Sequence, residues 1–476
     1  MAVRTALLVV PPGGQYLRDD RCQNPIGRHA IPVLRPPMFL AYTAAVLERI
    51  GVACTIRDYP AEGRGWPDLA ADLKRYDPDL VAVNVMASAV ESDLRVCTLA
   101  KRHNPACLTV AKGAYAKADD RAILGLCPEL DGLWRGEVDV GLAELADGRP
   151  WSDVAGLTWR CHGEIVRNPD RPLQEDLDQL PFPARHLLNN RLYARFDTGD
   201  PATVVWTTRG CPAECTFCTS HQMFGRRLRL RAPERLVDEI EVCVNEHGIR
   251  DFFFTADTFT WRRDWVVAVC REILRRGLRI RWACNARVDR LDDARLRWMK
   301  RAGCSVISLG IESGCQAILD RYRKGITLDQ AREAVAACRR HGIMPYAFVI
   351  LGGPWETEET VRETVRFILD LDPDFAEFAI LKVHPGTALY DDLASRGRLG
   401  PRHGLAHYDW SGGMTLERAL ELRRWAVLRF NVRPLYVARA LWRGLRQGQA
   451  LTYLWFGAQH LIRLARPSTW EAPDGD

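Results

Sequence analysis

No run of about 18 apolar residues occurs in the 476-residue chain, so no segment is built to span a membrane as a helix. No G-x-G-x-x-G follows an apolar run, which removes the usual dinucleotide fingerprint. Charge of one sign is not in large excess. The 66 Lys and Arg against 60 Asp and Glu leave a net charge of +6, which does not by itself imply nucleic acid. The 15 cysteines are an odd and mostly scattered set, which argues against a disulfide framework and for a reducing compartment. Cys243, Cys270, Cys284, Cys304, Cys315 and Cys338 stand too far apart to form a second cysteine motif. The first apolar run, Ala6–Val10, ends in Pro-Pro-Gly-Gly without a cleavage site, so a first strand is expected there rather than a signal peptide. A cytoplasmic protein of two or three domains is expected.

One cysteine group stands out. Thr208–Ser220 reads T-R-G-C-P-A-E-C-T-F-C-T-S, with Cys211, Cys215 and Cys218 spaced three and then two residues apart. Thiolates this close suit three irons of a cubane, with the fourth iron open to bind something. The rival is tetrahedral zinc, which needs a fourth ligand; His221 is the local candidate.

Two series of alternating strands and helices flank that group. The first predicts strands at Ala6–Val10, Ala53–Tyr59, Leu80–Met86, Leu108–Lys112 and Gly132–Arg135. Helical patterns fall between them at Pro37–Ile50, Trp66–Tyr76, Ala89–His103 and Lys117–Leu126. This predicts a doubly wound, Rossmann-like parallel sheet whose ligand edge carries Pro11–Gly14, Ala87–Ala89, Gly113–Tyr115 and Gly136–Glu137. The second series predicts six strands, at Thr203–Thr208, Asp251–Ala256, Arg279–Asn285, Ser305–Glu312, Tyr346–Leu351 and Phe375–Val383. Each has a helical pattern behind it, which implies a partial (β/α)6 barrel with its chemistry at the strand carboxyl ends. Between the series, residues 151–200 form a linker with a small hairpin at Ala155–Val166 and a Pro- and Asp-rich crossover at Asn168–Leu188. The expected division is therefore 1–150, 151–200, 201–390 and 391–476.

The motif C-x-x-x-C-x-x-C with Phe217 before its last cysteine resembles the signature of radical S-adenosylmethionine enzymes. The strand ends strengthen the likeness: T-A-D-T-F-T, C-N-A-R-V-D with Asn285, L-G-I-E-S-G, L-G-G-P-W-E-T-E-E and H-P-G-T-A-L-Y. Across roughly residues 200–390 they resemble the barrel of the cobalamin-dependent members. The N-terminal order P-P-G-G, then P-P-x-x-L-A-Y-x-A-A-x-L-E, then R-G-E resembles their cobalamin-binding domain. The D-x-H-x-x-G motif, whose His would ligate cobalt, is absent, as it usually is in that family.

The resemblance implies that Cys211, Cys215 and Cys218 hold a 4Fe–4S cluster. It also implies that Phe217, Asp257, Arg287, Glu312, Ser313 and Gly352 bind S-adenosylmethionine, and that Gly13, Ser88, Gly113, Gly136 and Glu137 bind cobalamin. Relatives often carry two acids where this chain has Ala256 and Asp257. Lys324 matches a recurring K-G in relatives, and a surface helix stop explains it equally well. Gly353 lies beside Gly352, and a turn after a strand accounts for either glycine. Cys22, in the polar segment Tyr16–Gly27, reads as an ordinary thiol.

The expected activity is transfer of methyl from methylcobalamin to an unactivated carbon of a small secondary-metabolite-like substrate, with an electron donor such as flavodoxin or ferredoxin. The alternatives are ring formation or oxidation without methyl transfer, and an iron–sulfur or cobalamin sensor. Between Met414 and Arg466 stand ten arginines and two glutamates. This basic, Trp-rich stretch reads as two or three helices. They cap the barrel mouth or, on a sharper reading, make weak contact with a membrane surface.

Overall fold

A computed structural model describes residues 3–14, 34–113, 116–137, 140–195, 198–400, 402–403, 406–407, 414–446, 449 and 454. Segment Tyr16–Gly27 with Cys22, residue Tyr115, and all but Leu454 of the third C-terminal helix expected at Ala450–Ala465 lie outside these residues.

The first domain is the predicted parallel sheet. Its strands are β1 (Thr5–Val10), β2 (Ala53–Asp58), β3 (Leu80–Asn84), β4 (Leu108–Lys112) and β5 (Gly132–Trp134), in the order β2-β1-β3-β4-β5. Strand β1 shows why both faces are covered. Leu8 and Val10 join one apolar cluster with the helix Met38–Glu48, whereas Leu7 and Val9 join the other with Leu69 and Leu94. Successive side chains on a strand point to opposite faces, so an all-apolar strand needs helices on both sides. The strand order reverses between β1 and β3, which is where open α/β sheets bind ligands.

The hairpin assigned to the linker belongs to this sheet. Strands β6 (Leu157–Cys161) and β7 (Glu164–Arg167) continue it as antiparallel strands beyond β5, so the domain ends near 167 rather than 150. The buried carboxylate of Asp120 accepts hydrogen bonds from Thr158 (2.6 Å) and Arg167 (2.7 Å), which fixes the hairpin to the helix Ala116–Leu126.

The second domain begins with β8 (Ala202–Trp206). A two-residue strand β9 (Thr208–Arg209) pairs antiparallel with β10 (Arg229–Leu230), and this ribbon frames the cysteine loop. Then follow β11 (Asp251–Thr255), β12 (Arg281–Ala286), β13 (Cys304–Glu312), β14 (Met344–Leu351) and β15 (Phe375–Ile380). Together with β8 they make a six-stranded parallel sheet in the order β8-β11-β12-β13-β14-β15, the predicted partial barrel. The last strand stops three residues early because Val383 leaves the sheet to pair with His407.

A partial barrel has two open edges, and each is covered. At β8 the first domain docks through aromatics: Trp206 meets Phe39 edge-on (4.5 Å) and stacks on Tyr42 (5.2 Å). At β15 the C-terminal helix Leu416–Asn431 packs, with Leu422, Ala426 and Phe430 in the barrel core. Its first turn reaches the barrel mouth, where Ala419 faces Gly352.

Beneath the β8 seam lies a buried ion triad. The Glu239 carboxylate forms an ion pair with Arg185 of the linker (2.7 Å) and accepts a hydrogen bond from Arg231 after β10 (2.5 Å). Arg185 also donates to the Val204 carbonyl (2.8 Å) and Arg231 to that of Trp206 (3.1 Å). Burial pushes the Glu239 carboxyl up, and the two guanidiniums outweigh that and hold it below the ordinary range. A Glu239→Gln variant should lose about 3–5 kcal/mol of stability, since it leaves two buried cations short of their counter-charge. Chemical denaturation measures this, and a loss of only a few tenths, as for a surface pair, would show that the triad does not lock the seam.

Candidate active site

The cysteines occupy the loop between β9 and the short helix Ser220–Phe224. Gly210 opens that loop at φ +86°, and a Cβ there would stand 2.1 Å from the Arg227 carbonyl, so only glycine lets the ribbon close. The loop is anchored from several sides. The Cys211 amide donates to Gly225 (3.3 Å), that of Thr216 to the Tyr322 carbonyl (2.9 Å), and Leu389 donates to the Thr216 carbonyl (3.0 Å). Phe217 packs edge-on against Tyr322 at 5.2 Å.

All three cysteines line one cavity of about 230 Å³ at the carboxyl ends of the barrel strands. Among the described residues, no three His, Cys, Asp or Glu side chains converge to hold a single metal ion. A cubane asks for thiolates that share a pocket but serve separate irons. His221 lies on the same wall, with its Nε2 3.2 Å from the Gly386 carbonyl. Burial pushes the Cys215 thiol up, and Lys324 and Arg287 pull it back toward the thiolate; Arg287 approaches its sulfur to 3.8 Å.

The other walls come from the ends of the barrel strands. Ser308, Gly310 and Glu312 of β13, Phe348, Val349 and Ile350 of β14, and Ala379, Ile380 and Leu381 at the end of β15 line the cavity. A register shift at the end of β13 turns Glu312 into a left-handed conformation at φ +66°, a costly backbone for a non-glycine residue. Its carboxylate meets Lys324 Nζ at 2.6 Å, and both side chains are buried. Lys324 is thus no surface helix stop. Gly310 leaves room for the pair, because a Cβ there would lie 2.6 Å from Glu312 and 2.7 Å from Lys324.

Phe217, Asp257, Asn285, Arg287 and Glu312 all reach the cavity. Ser313 and Gly352 are not among its lining residues. The Ser313 side chain is fully buried against Thr364 (3.0 Å) and accepts from the Cys315 amide (3.1 Å), a local cap rather than a ligand contact. Gly352, at φ +80°, makes the turn after β14 beneath Ala419. Arg287 is largely engaged already, with Asp289 (2.9 Å) and the Lys324 carbonyl (2.7 Å).

Arg35, Lys382 and His384 also line the cavity, although no site motif in the sequence includes Arg35 or Lys382. Strand alternation could have drawn attention to the β15 end. Nothing local marks Arg35, which comes from the first domain and lies over the Phe253 ring at 4.0 Å. Burial pushes the His384 imidazole well below its ordinary value, with Lys382 and His407 adding to the effect, so it is neutral at pH 7.

On the first domain, the carboxyl edge behaves in two ways. Gly13 and Ser88 flank the β1/β3 switch point, and the buried Ser88 Oγ has no hydrogen-bond partner, as expected of a donor waiting for a ligand. At Gly113 a Cβ would come within 2.6 Å of the Val85 carbonyl, so this glycine serves close strand packing. Gly136 (φ +75°) leads into Glu137, which is not open to a cofactor. Its carboxylate accepts from Arg229 at 2.6 and 3.0 Å and from the Gln174 amide at 2.7 Å.

Known proteins share this arrangement. The model of the Radical SAM superfamily matches residues 206–368, and that of the B12 binding domain matches residues 29–146. An uncharacterised methyltransferase of Pyrococcus horikoshii is 31% identical over 449 residues, covering 91% of this chain and 94% of that protein. This chain belongs to the cobalamin-binding radical S-adenosylmethionine enzymes. An anaerobic magnesium-protoporphyrin IX monomethyl ester cyclase of Cereibacter sphaeroides is 31% identical over 374 residues, 75% of this chain and 60% of that one. The radical S-adenosylmethionine methyltransferase TsrM of Kitasatospora setae, solved with cobalamin and a [4Fe-4S] cluster, shares the fold with a TM-score of 0.67 at 22% identity; the match covers 83% of this chain and 78% of that one. As a member of the family, this radical S-adenosylmethionine enzyme works with a 4Fe–4S cluster, S-adenosylmethionine and cobalamin. The shared thiolate pocket fits the first, the strand-end cavity the second, and the unsatisfied Ser88 hydroxyl at the switch point the third.

Two consequences can be measured. Cys215→Ala should abolish cluster loading while the protein stays soluble, and a retained 4Fe–4S spectrum would refute the ligand assignment. Glu356, after β14, is buried, and that burial pushes its carboxyl from 4.5 up to about 7. A raised carboxyl destabilises the fold as pH rises from 4.5 to 7, because the unfolded chain ionises first. Glu356→Gln should therefore gain on wild type by up to about 3 kcal/mol at pH 8 and by much less at pH 5. Equal gains at both pH values would contradict this.

Proposed function

We propose that this enzyme methylates a carbon atom of a small-molecule substrate held in the cavity beneath the cysteine loop. One observation carries the reading. Arg35 of the first domain and the three cysteines of the barrel line the same cavity, so both cofactor domains open onto one reaction space. When bound, the cluster with S-adenosylmethionine supplies hydrogen abstraction from carbon, and cobalamin supplies the methyl group.

The chain's own residues bind, orient and exclude. Cys211, Cys215 and Cys218 are the cluster ligands, and Phe217 forms the wall beside them. Glu312, held by Lys324, and Asn285 present polar atoms for the amino acid part of S-adenosylmethionine. Asp257, at the end of β11, offers a carboxylate on the same rim. Phe348, Ile350 and Leu381 keep water from the reacting centre, and the neutral His384 sets a hydrogen-bonding point at the β15 side. Gly13 and Ser88 are the first-domain contacts for cobalamin.

Three further assignments belong to this reading. A one-electron donor such as flavodoxin or ferredoxin docks where the exposed Arg226 and Arg227 flank the cysteine loop; Arg226 already donates to the Ala213 carbonyl at 3.0 Å. The C-terminal helix Pro434–Arg446 presents Leu435 (78% exposed), Trp442 (52%) and Leu445 (67%) on one face for weak contact with a membrane surface. Among the described residues no helix is long and apolar enough to cross a membrane. The free cysteines fit a reducing cytoplasm.

The second reading, ring formation or oxidation without methyl transfer, draws on the likeness to the cyclase. Anaerobic reconstitution with cobalamin, S-adenosylmethionine, reductant and candidate substrates separates the two. Methyl transfer yields 5′-deoxyadenosine together with S-adenosylhomocysteine. Deoxyadenosine without the homocysteine product would overturn methyl transfer, and neither product with the true substrate present would favour a sensor.

A further inference from the structure

The contacts between the first domain and the cysteine loop are buried and charged. Glu137 follows β5, at the ligand edge of the first sheet, and Arg229 stands in β10, the strand that closes the ribbon around the cysteines. Their side chains are 5% and 2% exposed and meet in a two-pronged bond of 2.6 and 3.0 Å. Arg229 donates as well to the Phe224 carbonyl (2.8 Å), at the end of the helix that follows Cys218, and to the Gln174 carbonyl (2.6 Å). Arg209, two residues before Cys211, approaches the same carboxylate at 3.7 Å and lies over the Trp206 and Phe224 rings at 5.0 and 5.4 Å. One first-domain carboxylate therefore holds both strands of the ribbon that carries the cysteines.

We infer that Glu137 and Arg229 are positioning residues that fix the cysteine loop at a set distance from the cobalamin edge of the first sheet. The inference rests on the two-cofactor reading of the cavity. A forked guanidinium–carboxylate bond in a buried seam defines both distance and angle, which a single apolar contact does not. The helix Ser220–Phe224 is wedged at the same place from two further sides. Gly136 passes 3.8 Å from the Met223 carbonyl, measured from where its Cβ would be, and Gln222 donates to Pro385 at 2.8 Å in the turn after β15. Small displacements of reacting groups cost large factors in rate, so a clasp of this kind acts on kcat before it acts on binding.

The test uses the full chain loaded with cluster and cobalamin. Glu137→Gln keeps the shape and removes the charge. Its iron, sulfide and cobalamin contents should match wild type. The magnetic coupling between cob(II)alamin and the reduced cluster, read by electron paramagnetic resonance, should weaken or spread. Formation of S-adenosylhomocysteine, as reduced cobalamin takes the methyl group of S-adenosylmethionine, should fall about tenfold or more in kcat, its rate at saturating S-adenosylmethionine, with KM little changed. Glu137→Asp should recover part of both signals. Wild-type coupling and kcat in Glu137→Gln would overturn the clasp. So would selective loss of cobalamin, which would make Glu137 a cofactor ligand instead. If the Gln variant does not fold, Arg229→Lys, which keeps the charge and loses the fork, is judged on the same measurements. A loaded wild type that forms no S-adenosylhomocysteine would instead sink the methyl-transfer reading.

Discussion

Everything the two cofactors can do together depends on buried charge in the seam between the domains. Neither open edge of a six-stranded half-barrel is stable alone, and β8 is covered only because the first domain lies against it. Apolar packing of Trp206 on Phe39 and Tyr42 gives that contact area, but area alone sets no angle. The angle comes from Glu137, a first-domain carboxylate that faces Arg229 and Arg209 of the ribbon, while Glu239 between Arg185 and Arg231 ties the linker to the barrel. Buried ion groups of this kind contribute little net stability relative to apolar packing. They penalise every alternative docking, because any slip strands a charge away from water.

The cavity wall shows the same logic on a smaller scale. Glu312 occupies a left-handed backbone position that costs energy, and a buried lysine compensates its charge. The arrangement survives only because Gly310 leaves space for it. Backbone strain of this kind persists where the surroundings force it, and here the surroundings are a strand end that faces the cysteine loop. Arg287 joins the loop to the same rim through Cys215 on one side and the Lys324 carbonyl on the other. The pair and the arginine tie β12, β13 and the cluster loop into one unit.

Much of this was legible in the sequence. Five apolar runs and their intervening helical patterns gave the first sheet to within a residue or two at most ends, because buried parallel strands read as continuous apolar segments. The five strand-end motifs locate the barrel mouth, and with it Asp257, Arg287 and Glu312. The rest depends on partners far along the chain. The Ala155–Val166 hairpin reads alike whether free or added to a sheet edge. Ser313 stands beside Glu312 in one motif, yet the register shift sends its side chain to Thr364 instead. Glu137 ends an R-G-E turn at the sheet's binding edge, where the family resemblance implies a ligand contact. Only the docked position of Arg229, 92 residues away, reveals its engagement.

Lys324 makes the general point most sharply. A lysine before a glycine at a helix end is ordinarily a solvated stop, and nothing in R-K-G-I-T argues otherwise. Burying it would cost several kcal/mol unless a carboxylate came to meet it. Glu312 has the mirror problem, since it sits in a strand end with an apolar sheet beneath. Each residue alone is improbable, whereas the pair is stable. A buried acid in one motif is therefore a reason to look for a basic residue in another.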